Sequence, residues 1–270
     1  MTTAPAAPAT LNGGSPPPVS LARDGDVATL TLANPRRKNA MTPQAWRMLR
    51  ETLVEVGRSD ARVLVVTGAG TDFCAGADLS AREDRPTAPM ASMAEVNDAC
   101  LALHRLPVPT IARVDGVAVG AGMNLALGCD FVVATDRARF SEIFVRRGMS
   151  VDFGGSWLLP RLVGLRRAKE LVLLGDIIGA AEALEAGLVR EVVPAGELDA
   201  TVAALAARLA SGAPVAMRQS KRMLTDSFET GLERALEDEA RSQQINFATD
   251  DLAEAVAAFH DKRDPRFTGR

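Results

Sequence analysis

The residues able to do chemistry in this chain fall in three short stretches. Ile111 to Asp130 reads IARVDGVAVGAGMNLALGCD, with Gly116, Gly120 and Gly122 set in an apolar run that ends on an acid. Phe73 to Leu79 reads FCAGADL, a second small-residue turn soon after the apolar run Val63 to Val66. Each turn can bare one backbone N–H. Two such donors aimed at one acceptor oxygen make an oxyanion hole, which stabilises an enolate-like anion. A helix opening at Gly122 would add a favourable dipole. The third stretch, GMSVDFGGSWLLP over Gly148 to Pro160, holds a single acid, Asp152. Its plain role is a helix N-cap. Its chemical role is that of a carboxylate facing the anion hole and moving a proton.

Other chemistries find little support. Two histidines cannot build a histidine-rich metal site, and Cys100 and His104 share a helix face without further ligands, so they read as core. There is no GxSxG elbow, and no cysteine has a plausible histidine base, since Cys100 and His104 read as core packing. Val66 to Gly70 reads VTGAG, but the next glycine is Gly76, which breaks the spacing of a dinucleotide-binding turn. The odd set Cys74, Cys100 and Cys129 reads as reduced thiols, and the expected compartment is the cytoplasm. A net charge of −3 gives no support for a nucleic-acid or anionic-membrane surface. No apolar run reaches the roughly 18–20 residues of a membrane span, and no signal peptide is evident.

Patterning indicates the elements that must position these groups. Residues 1–18, rich in Ala, Pro, Gly and Ser, are expected to form a disordered tail. Asp24-Gly25-Asp26 marks a hairpin, and Thr42-Pro43 opens a helix with Trp46, Leu49, Leu53 and Val56 on one face. Residues 63–67, 110–114 and 131–134 read as strands, 80–92 as a polar loop, and about 93–106 as a helix stopped by Pro107 and Pro109. A helix over Gly122 to Leu127 follows the glycine turn. After Gly164 the chain reads as helical, with stops at Gly175, Gly187, Gly212 and Gly231. The fold class is α/β, with a core over 19–195 and a helical C-terminal region over 196–270 whose amphipathic helices suit subunit contact.

FCAGADL followed by PVPTIARVDGVAVGAGMNLALGCD resembles the signature of the crotonase (enoyl-CoA hydratase/isomerase) superfamily, and the similarity runs from about Val19 to the end. The resemblance implies a spiral of ββα units, a C-terminal trimerisation region giving a homotrimer or a dimer of trimers, an acyl-CoA thioester as substrate, and no cofactor beyond the substrate's own CoA. By position, the oxyanion N–H groups would be those of Ala77 and Ala121, with Ala75, Asp78, Leu79 and Gly120 beside the thioester. Arg36, Arg37 and Lys38 form a basic cluster, which in a bland reading is a solvated turn. The resemblance sets this turn near the CoA phosphates, and matches Phe259 and Lys262 to positions that reach a neighbouring subunit's CoA.

Departures from the family pattern bear on the reaction. Hydratases of this superfamily carry one glutamate two residues after GAG and another four residues after the phenylalanine of the next segment, here Phe140; those positions are Asn124 and Phe144. Glu142 lies close by. If 140–147 is helical, two residues amount to about 200° of rotation, which turns Glu142 away from the site. The subgroup that shifts double bonds or isomerises a ring epoxide of phenylacetyl-CoA is similar in DxGGxWLLPRLVG and in AFxxKRxPxFTG, and the resemblance implies a catalytic aspartate at Asp152. Phe144, Phe153 and Trp157 are expected to wall this carboxylate with apolar surface. Three readings follow: an isomerase using Asp152, a hydratase with water oriented by Asn124 and Asp152, and an acyl-CoA-binding scaffold without turnover.

Overall fold

The computed structural model describes residues 17–80 and 89–270. The tail expected over 1–18 therefore lies almost wholly outside the described residues, as does the 81–88 part of the expected loop. Two antiparallel strands, β1 (Val19–Asp24) and β2 (Val27–Leu32), meet at the Gly25 turn, where a φ of +55° suits glycine. Thr42 caps α1 (Pro43–Arg58), its hydroxyl accepting the Ala45 N–H at 3.2 Å, and Trp46, Leu49, Leu53 and Val56 are all buried. Then come β3 (Val63–Gly68), α2 (Pro89–His104), β4 (Thr110–Val114), β5 (Val117–Val119), α3 (Ala121–Leu127), β6 (Phe131–Thr135) and β7 (Arg139–Ser141). The chain continues through α4 (Gly155–Leu174), β8 (Ile178–Gly179), α5 (Ala180–Glu185) and β9 (Glu191–Val193). It ends in α6 (Leu198–Ala210), α7 (Pro214–Asp226), α8 (Leu232–Phe247) and α9 (Asp250–Asp261).

The main sheet has the order β1-β2-β3-β4-β6-β9, parallel from β2 onward. A smaller sheet, β5-β7-β8, lies beside it. Strand β3 explains why Val63 to Val66 carries no alternation. Leu64 and Val66 face the larger core with α1 and α2, while Val63 and Val65 face a second core formed with Val202 and Ala206 of α6. A parallel strand covered on both faces reads as a continuous apolar run. Helix α6, the first helix after residue 196, packs on the sheet's second face.

Two other expectations change. Helix α2 starts at Pro89, four residues before the expected Met93, taking in the end of the presumed loop. Helix α4 starts at Gly155 and passes through Gly164, which has φ +74° and ψ 159° and kinks it. Among the described residues, no single helix is long and apolar enough to cross a membrane.

Candidate active site

The two glycine turns lie against each other at the carboxyl ends of β3 and β4, where open parallel sheets offer a ligand crevice. The segment after β3 is held from both sides. Phe73 and Cys74 donate their N–H groups to the Val117 carbonyl, and Val119 N–H returns one to Cys74 O. On the other side Ala75 N–H reaches Lys38 O, Met41 N–H reaches Gly76 O, and Asp78 N–H reaches Met41 O, at 2.8–2.9 Å. This ladder skips Ala77, whose N–H points away from it. Ala121 is the first residue of α3, so its N–H has no intrahelical acceptor. Neither N–H has a protein acceptor among the described residues, and both residues line one cavity of about 1150 Å³.

Close approach fixes the glycines. Gly76 has φ +82°, and a Cβ there would sit 2.9 Å from Val119 O and 3.4 Å from Ala121 N, so a side chain would fill the space between the two donors. A Cβ on Gly122 would fall 2.3 Å from Cys74 O. Helix α3 has only seven residues, so the dipole expected of it adds little, and the two N–H groups carry the electrostatics. The VTGAG turn is filled by the chain itself: a Cβ on Gly68 would lie 2.2 Å from Asp72 O.

One residue with no sequence signal of its own holds this corner. Asn39 is buried with φ +57°, and its Nδ2 donates to Ala69 O (2.9 Å) and Asp72 O (2.7 Å) while its Oδ1 accepts the Asn34 N–H. Asparagine tolerates left-handed backbone better than most residues. The only hint in the sequence is its place just after the basic cluster.

The cavity is also lined by Arg37, Lys38, Ala75, Asp78, Leu79, Gly120, Arg139, Phe144, Arg147 and Asp152. Among the described residues its lining carries four cations and two carboxylates, a balance that suits an anionic ligand. Lys38 lies 3.8 Å from Asp72 Oδ1. Hydrogen bonds from Ser80, helped by Arg37 at 3.7 Å, hold the Asp78 carboxyl below its ordinary range. Arg36 of the cluster is not among the lining residues.

Asp152 reaches the cavity from the segment before α4. The N-cap of that helix is Gly154, with no side-chain cap bond, so the capping role considered for Asp152 does not hold. Its backbone carbonyl accepts both the Gly155 N–H (3.0 Å) and Asn124 Nδ2 (2.9 Å). Next to it, Phe153 adopts φ +46°, an uncommon region for a bulky side chain that costs of order 1–3 kcal/mol. The ring is buried against Trp46 at 5.3 Å.

Three expected placements are corrected. Asn124, expected against the substrate, is fully buried behind the lining and braces the Asp152 backbone instead. Trp157, expected in the apolar wall, faces a different cavity of about 770 Å³ that Phe153 also lines, with Cys100, His104 and Lys221. There the Arg161 guanidinium stacks 3.9 Å from the Trp157 ring centroid, and His104 meets the ring edge-on. Of the three aromatics, only Phe144 lines the cavity shared by Ala77, Ala121 and Asp152. Glu142, expected to turn away from the site by helical rotation, does not line the cavity but is wholly buried beside Asn124, whose Nδ2 donates to its Oε2 at 3.3 Å, and it comes there by another geometry. The cause is local: 139–141 is strand and 143–147 a 3₁₀ turn, so the α-helical rotation does not apply. Burial, opposed by the Asn124 bond and reinforced by the Asp152 charge, pushes the Glu142 carboxyl up to about 8.

The thiols are inert. Cys74 donates to Asn39 O, and burial pushes it up to about 12, as it does Cys129; burial and then the Asp152 charge push Cys100 up to about 11. Phe259 and Lys262 sit at the exposed end of α9 and do not line the chain's own cavity.

With this geometry in view, comparison with known proteins is decisive at the level of the family. The Enoyl-CoA hydratase/isomerase family profile matches residues 22–270. The chain belongs to the enoyl-CoA hydratase/isomerase family. It is thus an enzyme of acyl-CoA chemistry with the crotonase α/β fold. It is similar to the 1,2-epoxyphenylacetyl-CoA isomerase of Escherichia coli K12, with 39% identity over 90% of this chain and 95% of the relative. It is also similar to the short-chain-enoyl-CoA hydratase of Clostridium acetobutylicum, with 35% identity over 91% of this chain and 95% of that one. The crystal structure of an enoyl-CoA hydratase from Bacillus anthracis superposes with a TM-score of 0.90 at 32% identity, covering 94% of this chain and all of the other. Relatives thus carry both reaction names.

Proposed function

We propose that this enzyme is an acyl-CoA isomerase in which Asp152 relocates a proton across a thioester-stabilised dienolate. The observation that carries this reading is the cavity shared by the Ala77 and Ala121 N–H groups, which have no acceptor among the described residues, and the Asp152 carboxyl, with Phe144 and the buried Asn124 where hydratases carry glutamates. The thioester carbonyl accepts both N–H bonds, which makes the adjacent C–H acidic. Asp152 takes that proton, the electron pair delocalises onto the thioester oxygen, and the same proton returns to the γ-carbon as the double bond moves. Each donor contributes about 3–4 kcal/mol of transition-state stabilisation in comparable sites. The same hole supports opening of a ring epoxide. Lys38, Arg37, Arg139 and Arg147 suit the CoA phosphates. In an assembled trimer, Phe259 and Lys262 reach the CoA of a neighbouring copy.

A second reading, hydration, is favoured by the hydratases among the relatives. Incubation with a 3-enoyl-CoA and, separately, with crotonyl-CoA distinguishes them. The isomerase reading expects 2-enoyl-CoA from the first and little 3-hydroxyacyl-CoA from the second, with Asp152→Asn losing at least 100-fold in isomerase turnover. Full turnover in Asp152→Asn, or strong hydration of crotonyl-CoA, overturns it. Binding of acyl-CoA with no chemistry on either substrate would leave a scaffold.

A further inference from the structure

Glu142 is a buried acid that the proposed chemistry leaves unused. It has no solvent exposure and no salt-bridge partner among the described residues. Among the described residues its one hydrogen bond is the 3.3 Å contact from Asn124 Nδ2, and its Oε1 has no partner. A carboxylate there would need several donors to replace water. Asn124 Oδ1 is likewise buried without a partner. The two orphaned oxygens belong to groups already bonded to each other, and what this pair lacks is one donor proton. The same Asn124 amide nitrogen braces the Asp152 carbonyl.

We propose that Glu142 and Asp152 form a two-carboxyl pair with divided roles, Glu142 keeping the proton and acting as a positioning residue so that Asp152 at the cavity keeps the charge. Resting on the reading of Asp152 as the proton carrier, this explains how two neighbouring acids can coexist in a site that needs an ionised base. Environments that push two carboxyls apart are the usual means of assigning acid and base roles. Glu142 is fully buried, whereas Asp152, although its Oδ1 is also buried, is only half-buried as a residue and lines a cavity with Arg37, Lys38, Arg139 and Arg147.

The groups acting on Glu142 come from every side. Asn124 faces it from α3, and Asp152 from the segment before α4. On its own turn, Arg146 is turned to Asp176 and the Leu174 carbonyl, and Arg147 lines the cavity. Cys100, on α2, is a thiol pushed up to about 11 by burial and then by the Asp152 charge, so it brings no charge of its own. None supplies a counter-charge to Glu142. Burial leads in raising its pKa to about 8, and the Asp152 charge adds to it, so the last proton of the pair leaves in the mildly alkaline range.

The sign of the consequence is fixed. A group whose folded pKa of about 8 exceeds its ordinary 4.5 makes the fold bind more protons than the unfolded chain, so its contribution to stability declines as pH rises from 4.5 to 8 and is flat above. Urea unfolding of the full chain across pH 5 to 9.5 reads this without substrate. Glu142→Gln, a neutral isostere, should lose that decline; if it does not fold, Glu142→Met of similar volume takes its place. Asp152→Asn should keep the decline but end it at lower pH, because the like charge is gone. Parallel curves for wild type and Glu142→Gln, or an unshifted end point in Asp152→Asn, overturn the proposal. In the active enzyme, kcat/KM should show an inflection near pH 8 that Glu142→Gln lacks, and an inflection that survives the substitution overturns it too. Failure of the isomerase reading registers separately, as missing turnover with the stability curves unchanged.

Discussion

Ala121 brings little but its N–H to the proposed chemistry, and proline is the substitution that removes that group. The position is the first of α3, where proline is tolerated because the N–H has no helical acceptor and the fixed φ suits a helix. Gly120 before it has φ 54° and ψ −131°, a conformation free of the αR geometry that a following proline disfavours. Ala121→Pro is therefore expected to lower kcat roughly 10²–10³-fold while leaving the urea midpoint close to wild type. Unchanged turnover in a folded variant would mean that the thioester oxygen does not use this donor. Alanine at Gly122 makes a poorer test, because a Cβ there meets Cys74 O at 2.3 Å and would disturb the fold as well as the hole. The two glycine turns were legible in the sequence because glycine is required wherever one backbone passes so close to another, and the family resemblance pointed to Ala77 and Ala121 within them. Asn39 was not, because a buried asparagine that staples two carbonyls has the same letter as one in a solvated turn.

At the scale of elements, legibility depended on regular periods. β3 and α1 were readable from their apolar runs, and the hairpin from its turn. The stretch 139–153 was not, since strand, 3₁₀ turn and left-handed Phe153 follow one another within fifteen residues and no single period applies. That is why an α-helical rotation was expected for Glu142 and the apolar wall was placed on Phe153. Helix α9 offers a test of a local charge effect. Glu254 accepts from Arg263 Nη1 at 2.6 Å and Nη2 at 2.9 Å, and from the Arg266 N–H at 2.7 Å, tying the C-terminal segment back onto the helix. Arg263, with the Arg266 N–H, holds the Glu254 carboxyl down to about 2 from an ordinary 4.5. A depressed folded pKa means the tie is complete above 4.5 and is lost as pH falls through that window. Hydrogen exchange in residues 263–270 should therefore speed up below pH 4, relative to the intrinsic rate, and Glu254→Gln should show the faster exchange already at pH 7. Equal protection in the variant would assign the order of this segment to Asp251, which accepts the Thr268 and Gly269 N–H groups.

Among the described residues, large apolar side chains are exposed in groups on the C-terminal helices and at the end of α4. Leu232 and Leu236 are a turn apart on α8, and Leu252, Val256 and Phe259 follow one face of α9; Leu232 is 75% and Phe259 81% exposed. Leu173, Leu174 and Ile177 are exposed at the end of α4 and just beyond it. Contiguous apolar faces on this scale mark contact surfaces. A second copy of the same chain is the occupant the family resemblance favours, and a closed ring of three is the arrangement we expect. Equilibrium sedimentation should give the mass of three chains, or of six if two trimers stack. Placing Asp at both Leu236 and Val256 should yield single chains, because a charge taken into an apolar interface without a partner is strongly disfavoured. The consequence for catalysis separates this arrangement from a mere packing preference. If Phe259 and Lys262 complete a neighbour's CoA site, the dissociated variant raises KM for the acyl-CoA far more than it lowers kcat, since Ala77, Ala121 and Asp152 all come from one chain. A wild type that sediments as one chain would sink the arrangement outright, and a dissociated variant with an unchanged KM would remove the two residues from the binding site.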